Sequence, residues 1–389
     1  MNKRGMGFSS RQKRKVLRKL NSFAFGFVRN HINFHSAQNA VYCFGSLLKT
    51  IIFCSLTKRY LENGIERLKE LARFSVPDAD TVHRRIKRKS FDEILGEFFK
   101  VQNAIILWLR KARKLPRSIT VFIDEHDIRW FGKKENVYIV KNAKLKGTSS
   151  CFRYITINTV VNDYRICLYA LPVHSFSRKD KLVDRLLTEA EKQFRIRLVL
   201  FDRGFSKDSK VLKVVEKHGL KYLAPKPKDE RIKRLIEGTD RIRLFYHPHY
   251  IFGKEEISTN LFFIPNGKQE KQIWENYHAF CTNIAIDESN MYALADSYGR
   301  RWNIENFYRD VQGNFMIRTK TAKPEVRLFF FLFSSVLYNL WYFVRGFVHI
   351  RAERWKDTVT DLLMGGRDIG YSPTYYGKIS ERLMKTPGW

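Results

Sequence analysis

Three carboxylates sit where folded elements could present them to a common cleft. Asp124 follows a run of apolar, strand-forming residues in "VFIDEHDI", and Asp202 ends a second such run in "LVLFDRGF". Glu305 lies on a helical stretch, "SYGRRWNIENFYRDVQ". Taken singly, each has an ordinary structural explanation. Asp124 could belong to a turn, Asp202 could cap the following helix, and Glu305 could pair with an arginine one helical turn away. Acids at the ends of central strands are nevertheless costly to bury without a compensating cation. Brought together, the three would repel by about 4 kcal/mol per pair at roughly 4 Å and an effective dielectric near 20. Divalent cations remove that penalty. Two of them about 4 Å apart can activate a water or hydroxyl and stabilise the leaving oxygen of a phosphodiester. Oxygen ligands favour Mg²⁺ or Mn²⁺ over zinc. Asp127, three residues beyond Asp124, is a rival for the first position.

The Glu305 helix carries more than an acid. At about 100° per residue, Tyr298, Arg301, Glu305, Arg309 and Gln312 share one stripe. Ile304, Phe307, Val311 and Phe315 form an adjoining apolar stripe that reads as core. A solvated face with Arg301–Glu305 and Glu305–Arg309 pairs would fit this pattern, and so would a cleft-facing one.

The elements that must position these groups can be read along the chain. The first 30 residues hold nine Lys/Arg and no acid, which suits a flexible basic arm or the first helix of a DNA-binding head. Residues 36–74 read as helices. In "SVPDADTVHRRIKRKSFDEI", Pro77 stops one element and Asp78 or Asp80 caps the next. The capped helix would expose His83, Arg84, Arg85, Lys87, Arg88 and Lys89, like the reading helix of a helix-turn-helix or a basic surface helix. Beyond residue 115 come three strands with hairpin joins, the last turning at Asn162-Asp163, then helix, strand, helix and strand. A less regular basic stretch, about 226–278, separates these from the strand "HAFCTNIAI" and the Glu305 helix. The expected organisation is therefore 1–115 helical and DNA-binding, 116–345 catalytic, and 346–389 a helical extension.

A formal charge of +33 over 389 residues calls for a polyanionic partner, nucleic acid before an anionic membrane. The five cysteines are scattered and suggest neither a disulfide frame nor a zinc knuckle. His247 and His249 read as loop residues. The basic start has no apolar leader run, so the expected location is cytoplasmic, on the nucleoid. Leu328 to Val344 imitates a membrane span, but its 17 residues are short for one and are interrupted by Ser334, Ser335 and Asn339. A buried core helix, with no membrane, is the expectation.

Tyr298, Arg301 and Glu305 match in spacing the Tyr-x2-Arg-x3-Glu-x6-Lys signature of the DDE transposases of bacterial and archaeal insertion sequences. "RRWNIENFYRD" is similar to that family's Arg-Trp-x-Ile-Glu core, while "FIDEHDI" and "FDRGF" resemble its two aspartate motifs. The resemblance covers roughly residues 118–345, with a weaker echo in "SVPDADTVHRRI". It implies an α/β fold with an RNase H-like mixed sheet flanked by helices, and 226–278 as an insertion before the last catalytic helix. It also implies that Asp124, Asp202 and Glu305 bind two Mg²⁺ or Mn²⁺ ions, while Tyr298 and Arg301 hold phosphates of the element's end. Trp302 would pack behind the site or stack on a base, and Trp274 and Tyr277 become candidates to stack on a flipped base. The signature lysine falls on Gln312, which can donate a hydrogen bond to phosphate but carries no charge.

These features imply a transposase that cuts its terminal inverted repeats, joins 3′-hydroxyls to target DNA, and works as a homodimer on paired ends. A nuclease of the same fold without strand transfer is one alternative. A DNA-binding descendant without catalysis is another, which loss of a carboxylate would favour; all three are present.

Overall fold

A computed structural model describes residues 10–35, 40–161, 164–239, 242–299 and 301–364. The chain forms two compact units, one of residues 1–116, 132–136 and 307–389, the other of 117–131 and 137–306.

The first unit is helical. It holds α1 (Ser10–His31), α2 (Phe44–Thr57), α3 (Leu61–Leu71), α4 (Ala79–Lys87) and α5 (Phe91–Lys111), with α11 (Pro324–Arg345) and α12 (Ala352–Met364) from the other end of the chain. Asp78 accepts from the Thr81 amide at 2.6 Å and starts α4, so of the two candidate caps it is the one used. Ser90 and Glu93 cap α5 reciprocally. Helix α11 is long and apolar enough to cross a membrane, yet 94% of its most apolar 18-residue window is buried within the protein. Its Phe329 meets Phe98 of α5 edge-on at 5.1 Å. Its buried Asn339 donates to the buried Gln102 at 2.7 Å, which satisfies a polar pair inside an apolar interface. The core-helix reading of 328–344 matches this packing.

Helix α4 differs in part from expectation. Arg84, Lys87 and Arg88 are exposed. Lys89 is buried and paired with Glu97 at 2.6 Å. Arg85 is half-buried and donates to the His35 carbonyl at 2.7 Å. The Glu97 carboxylate offsets the cost of burying the Lys89 ammonium.

The second unit is built on a nine-stranded mixed sheet. Its elements are β1 (Ser118–Trp130), β2 (Ile139–Lys141), β3 (Ser150–Val161), β4 (Tyr164–Val173), α6 (Lys179–Glu191), β5 (Arg195–Phe201), α7 (Ser209–Lys217), β6 (Tyr222–Pro225), α8 (Glu230–Glu237), β7 (Phe245–Phe252), β8 (Ile257–Pro265), β9 (Tyr277–Thr282) and α9 (Met291–Gly299). The sheet runs β2-β3-β1-β5-β6-β9-β8-β7, with β4 also on β3. Strands β1, β3 and β4 are antiparallel, as adjacent hairpin strands must be, while β5 and β6 lie parallel to β1 and need the crossover helices α6 and α7. This is an RNase H-like mixed sheet flanked by helices. The turn expected at Asn162-Asp163 lies outside the described residues, but Val161 pairs with Tyr164 on either side of it.

The stretch 226–278 is more regular than its sequence suggests. It supplies α8 and the β7–β8 hairpin, which joins the same sheet through β9. His247 and His249 lie in β7 rather than in a loop. The glutamate helix α10 (Trp302–Asp310) follows α9 and runs into a π-helical turn, Val311–Phe315.

Candidate active site

In the parallel register of β1 and β5, Ile123 pairs with Phe201. Asp124, midway along β1, and Asp202, just past the end of β5, are the residues that follow this pair. Two acids thus stand side by side at the carboxyl end of β5, the end that open α/β sheets use for ligands, where β1 runs on past its neighbour.

Burial pushes the Asp124 carboxyl up to about 7; Arg301 opposes the rise and Asp202 adds to it. The Glu125 amide donates to Asp124 Oδ1 at 2.9 Å. Arg301 Nη1 lies 3.9 Å from Asp124 Oδ2 and 3.6 Å from Glu305 Oε1, so one guanidinium stands between two of the three acids. Burial works against the charge on Arg301, but Asp124, Tyr298 and Asp202 outweigh it and hold its pKa above the usual value. Its Nε is buried without a hydrogen-bond partner. The half-buried Tyr298 packs edge-on against Phe280 at 5.5 Å and stands 5.9 Å from the Arg301 guanidinium. Burial raises the Tyr298 phenol to about 12, with Arg301 opposing.

Asp202 is oriented by its own turn. Its Oδ1 accepts from the Gly204 amide at 2.7 Å and the Phe205 amide at 3.3 Å. A Cβ on Gly204 would stand 3.1 Å from that oxygen, which explains the glycine in "FDRGF".

Asp127 is committed elsewhere. It sits opposite Arg153 in the β1–β3 register, takes two hydrogen bonds from it at 2.6 and 2.8 Å, and accepts a third from Asn142 at 2.6 Å. Burial is outweighed by these donors, and its pKa falls.

The remaining candidates divide. Glu305 is exposed on α10, and Gln312 is exposed in the π-helical turn. The side chain of Trp302 lies outside the described residues. Tyr277 is buried, with its hydroxyl accepting from the Arg243 amide at 3.0 Å and its ring edge-on to Phe245 at 5.5 Å. It is a core residue and is not available to a flipped base. Trp274 is half-buried beside two ammonium groups, Lys233 at 4.6 Å and Lys228 at 5.7 Å.

The donor set suits a hard divalent cation, being all carboxylate oxygen, with one carboxyl whose proton is held by burial and would leave to a cation. Among the described residues no three His, Cys, Asp or Glu side chains are drawn together closely enough to hold an ion, and Arg301 supplies the positive charge between Asp124 and Glu305.

Two features of the site escaped sequence reasoning. Lys179 reaches Glu125 at 3.2 Å and lies 4.5 Å from the Phe205 ring, so one ammonium bridges the residue after Asp124 and the turn after Asp202. Lys226, at the end of β6, is buried and donates to the Ser206 carbonyl at 2.9 Å. The family signature points to neither residue, because both act across the sheet.

A family profile described as Transposase DDE domain matches residues 117–340. Among solved structures, the chain is similar to a piggyBac transposase synaptic complex with hairpin DNA, determined by cryo-EM. The TM-score is 0.53 at 11% identity, covering 96% of this chain and 86% of that one, a likeness of fold. A Drosophila P element transposase strand transfer complex aligns over 97% of this chain and 99% of that one, with a TM-score of 0.27 and 10% identity. No curated protein matches the sequence.

Proposed function

The chain belongs to the DDE transposase family, and from that premise we propose that it serves an insertion sequence by cutting DNA at the element's terminal inverted repeats and joining the freed 3′-hydroxyls to target DNA. The observation that carries this reading is the adjacency of Asp124, within β1, and Asp202, just past the end of the parallel strand β5, faced by the Arg301 guanidinium.

Asp124, Asp202 and Glu305 would hold two Mg²⁺ or Mn²⁺ ions. Bound there, such ions supply Lewis acidity, easing loss of a proton from water or a 3′-hydroxyl and stabilising the departing oxygen. To hold one, Asp124 would have to be ionised, and Asp202 is oriented by the Gly204 and Phe205 amides. Arg301, which faces Asp124 and Glu305 and stands 5.9 Å from the Tyr298 ring, would contribute its remaining donors to a phosphate oxygen. The exposed Arg84, Lys87 and Arg88 of α4 bind duplex phosphates of the inverted repeat, with Arg85 bracing the helix against the His35 carbonyl. Two copies working on paired ends, in the nucleoid, complete the reading.

The test is incubation with Mg²⁺ or Mn²⁺ on end-containing duplex in the presence of target DNA. Cleaved ends covalently joined to target are expected, and Asp124→Asn, Asp202→Asn and Glu305→Gln should each abolish them while leaving end-binding intact. Cleavage without joining would make the protein an endonuclease. Wild-type rates in the Asp202→Asn protein would remove the assignment.

A further inference from the structure

Lys226 is 5% exposed, yet its ammonium has no carboxylate within salt-bridge distance among the described residues. Burying such a charge is unfavourable by several kcal/mol unless it is compensated. Its backbone is fixed, because the Lys226 amide donates to the Ala279 carbonyl of β9 at 2.8 Å. Its side chain runs back toward the neighbouring strand. Nζ donates to the Ser206 carbonyl at 2.9 Å and lies 2.9 Å from the centre of the Phe252 ring, on β7. Burial lowers its pKa to about 8.

Ser206 lies toward the far end of the turn that follows Asp202. Its single hydroxyl proton points to the Pro225 carbonyl at 2.5 Å, with the Arg203 carbonyl farther off at 3.1 Å. The turn is therefore held at both ends. At the near end Asp202 Oδ1 takes the Gly204 and Phe205 amides, and at the far end Ser206 is tied to β6 through its hydroxyl and through Lys226. A turn released at its far end would let those amides, and the carboxylate they orient, swing together.

We propose that Lys226 is a positioning residue for Asp202: its ammonium, clasped between the Ser206 carbonyl and the Phe252 ring, locks turn 202–206 onto β6 and so fixes the direction of the carboxylate. This rests on the reading of Asp202 as a catalytic carboxylate. It also gives the β7–β8 hairpin a second task besides extending the sheet, since that hairpin supplies the ring that covers the lysine.

The test compares wild type with Lys226→Met, which keeps the stem and removes the ammonium, and with Lys226→Arg, which restores a donor. Amide hydrogen exchange over residues 202–206 is read first, without DNA or metal. In Lys226→Met the Gly204 and Phe205 amides should exchange about tenfold faster, with β1 and α7 unchanged. Single-turnover cleavage at saturating end DNA should then fall by about 100-fold with end affinity unaltered, as for a small misplacement of a reacting group. Lys226→Arg should recover part of both losses. Unchanged turn exchange would overturn the proposal, as would cleavage and DNA affinity falling together. If Lys226→Met does not fold, Phe252→Leu makes the same test from the ring side. A wild-type protein that cleaves nothing would remove the functional reading alone, and the exchange measurement would still decide whether Lys226 holds the turn.

Discussion

The Arg301 guanidinium lies 3.9 Å from the Asp124 carboxylate, and both side chains are largely buried. The pair is unequal. Burial alone drives Asp124 toward its protonated form, and Arg301 recovers only part of the shift, leaving the carboxyl at about 7. Near neutral pH the site therefore alternates between a protonated Asp124, with the guanidinium facing Glu305, and an Asp124–Arg301 ion pair.

That inequality gives a pH dependence with a definite sign. Between the ordinary value of 3.8 and about 7, the folded protein holds a proton on Asp124 that the unfolded chain has released. Stability from this group is therefore greatest at low pH, falls as pH rises through that window, and levels off above it. The full swing is about 4 kcal/mol at 1.36 kcal/mol per unit. Asp124→Asn has no such titration. In metal-free buffer, the unfolding free energy of Asp124→Asn relative to wild type should rise from pH 5 to pH 8 and then stay level. A pH-independent difference would mean that the carboxyl ionises normally.

Arg301→Gln removes the opposing charge, so the Asp124 carboxyl should move further up. With cation uptake requiring loss of that proton, Mn²⁺ affinity of the free protein at pH 7 should fall by about fivefold for the first unit the pKa rises and about tenfold for each further unit. Paramagnetic titration of Mn²⁺ at pH 7 and at pH 9 measures it, with recovery expected at the higher pH. Equal loss at both would point to a geometric role for Arg301 instead.

Asp127 carries a different expectation. Its hydrogen bonds with Arg153 and Asn142 are structural, and Arg153 keeps a weaker partner in Glu125 at 3.6 Å. Asp127→Asn should destabilise the protein by about 2–3 kcal/mol, below the range for an orphaned buried charge because Glu125 remains. Cleavage per folded molecule should survive at low temperature. A stable but inactive Asp127→Asn protein would transfer the first catalytic role by three residues.

Much of this was visible in the sequence, for physical reasons that can be named. Asp124 and Asp202 stood out because each interrupts or ends an apolar strand, and apolar runs are what a two-sided buried sheet requires. Helix α11 was legible because Ser334, Ser335 and Asn339 are tolerable in a core and awkward in a bilayer. The β7–β8 hairpin was harder to see. Its edge strand, "FYHPHYIF", contains Pro248 and exposes alternate residues, and the register shifts between His247 and Tyr250. A proline at a sheet edge is permitted where a bulge removes the need for its amide, but the local pattern then resembles a loop. Lys226 was invisible for another reason. "APKPKDE" looks like a solvated linker, and only the folding of the hairpin over it buries the ammonium.

Helix α4 offers a direct test of end recognition. Deleting residues 1–115 would strip α11 of its packing against α1, α4 and α5, so point substitutions are the better probe. Arg84, Lys87 and Arg88 are exposed, and their replacement by alanine should leave the fold intact. Each cation taken away from a phosphate should flatten the salt dependence of end-binding by about 0.9 in logarithmic slope. Lys89→Ala, which leaves the half-buried Glu97 carboxylate with the Asn33 amide but no cation, should instead lower stability. Unchanged slopes in the triple variant would move recognition away from α4.

Gln312 stands where the family signature carries lysine, and its surroundings sharpen what that substitution means. In an unbroken α-helix, seven residues bring position 312 back beneath Glu305. Here the segment Val311–Phe315 is a π-helical turn, wider than an α-turn, so the stripe drifts as it passes through 312. The side chain remains exposed, so lysine fits without strain and stability should stay within about 0.5 kcal/mol. If the exposed position still meets the DNA backbone, Gln312→Lys adds one counterion-releasing pairing and steepens the salt slope of end-binding by about 0.9. The chemical step should change little, because residue 312 lies roughly 10 Å along the helix from Glu305 at about 1.5 Å per residue. End-binding across a salt series, with single-turnover cleavage alongside, reads both quantities. A steeper slope with unchanged cleavage is the expected result. An unchanged slope would mean that the π-helical turn has carried position 312 off the DNA path, and that glutamine is tolerated there because nothing anionic faces it.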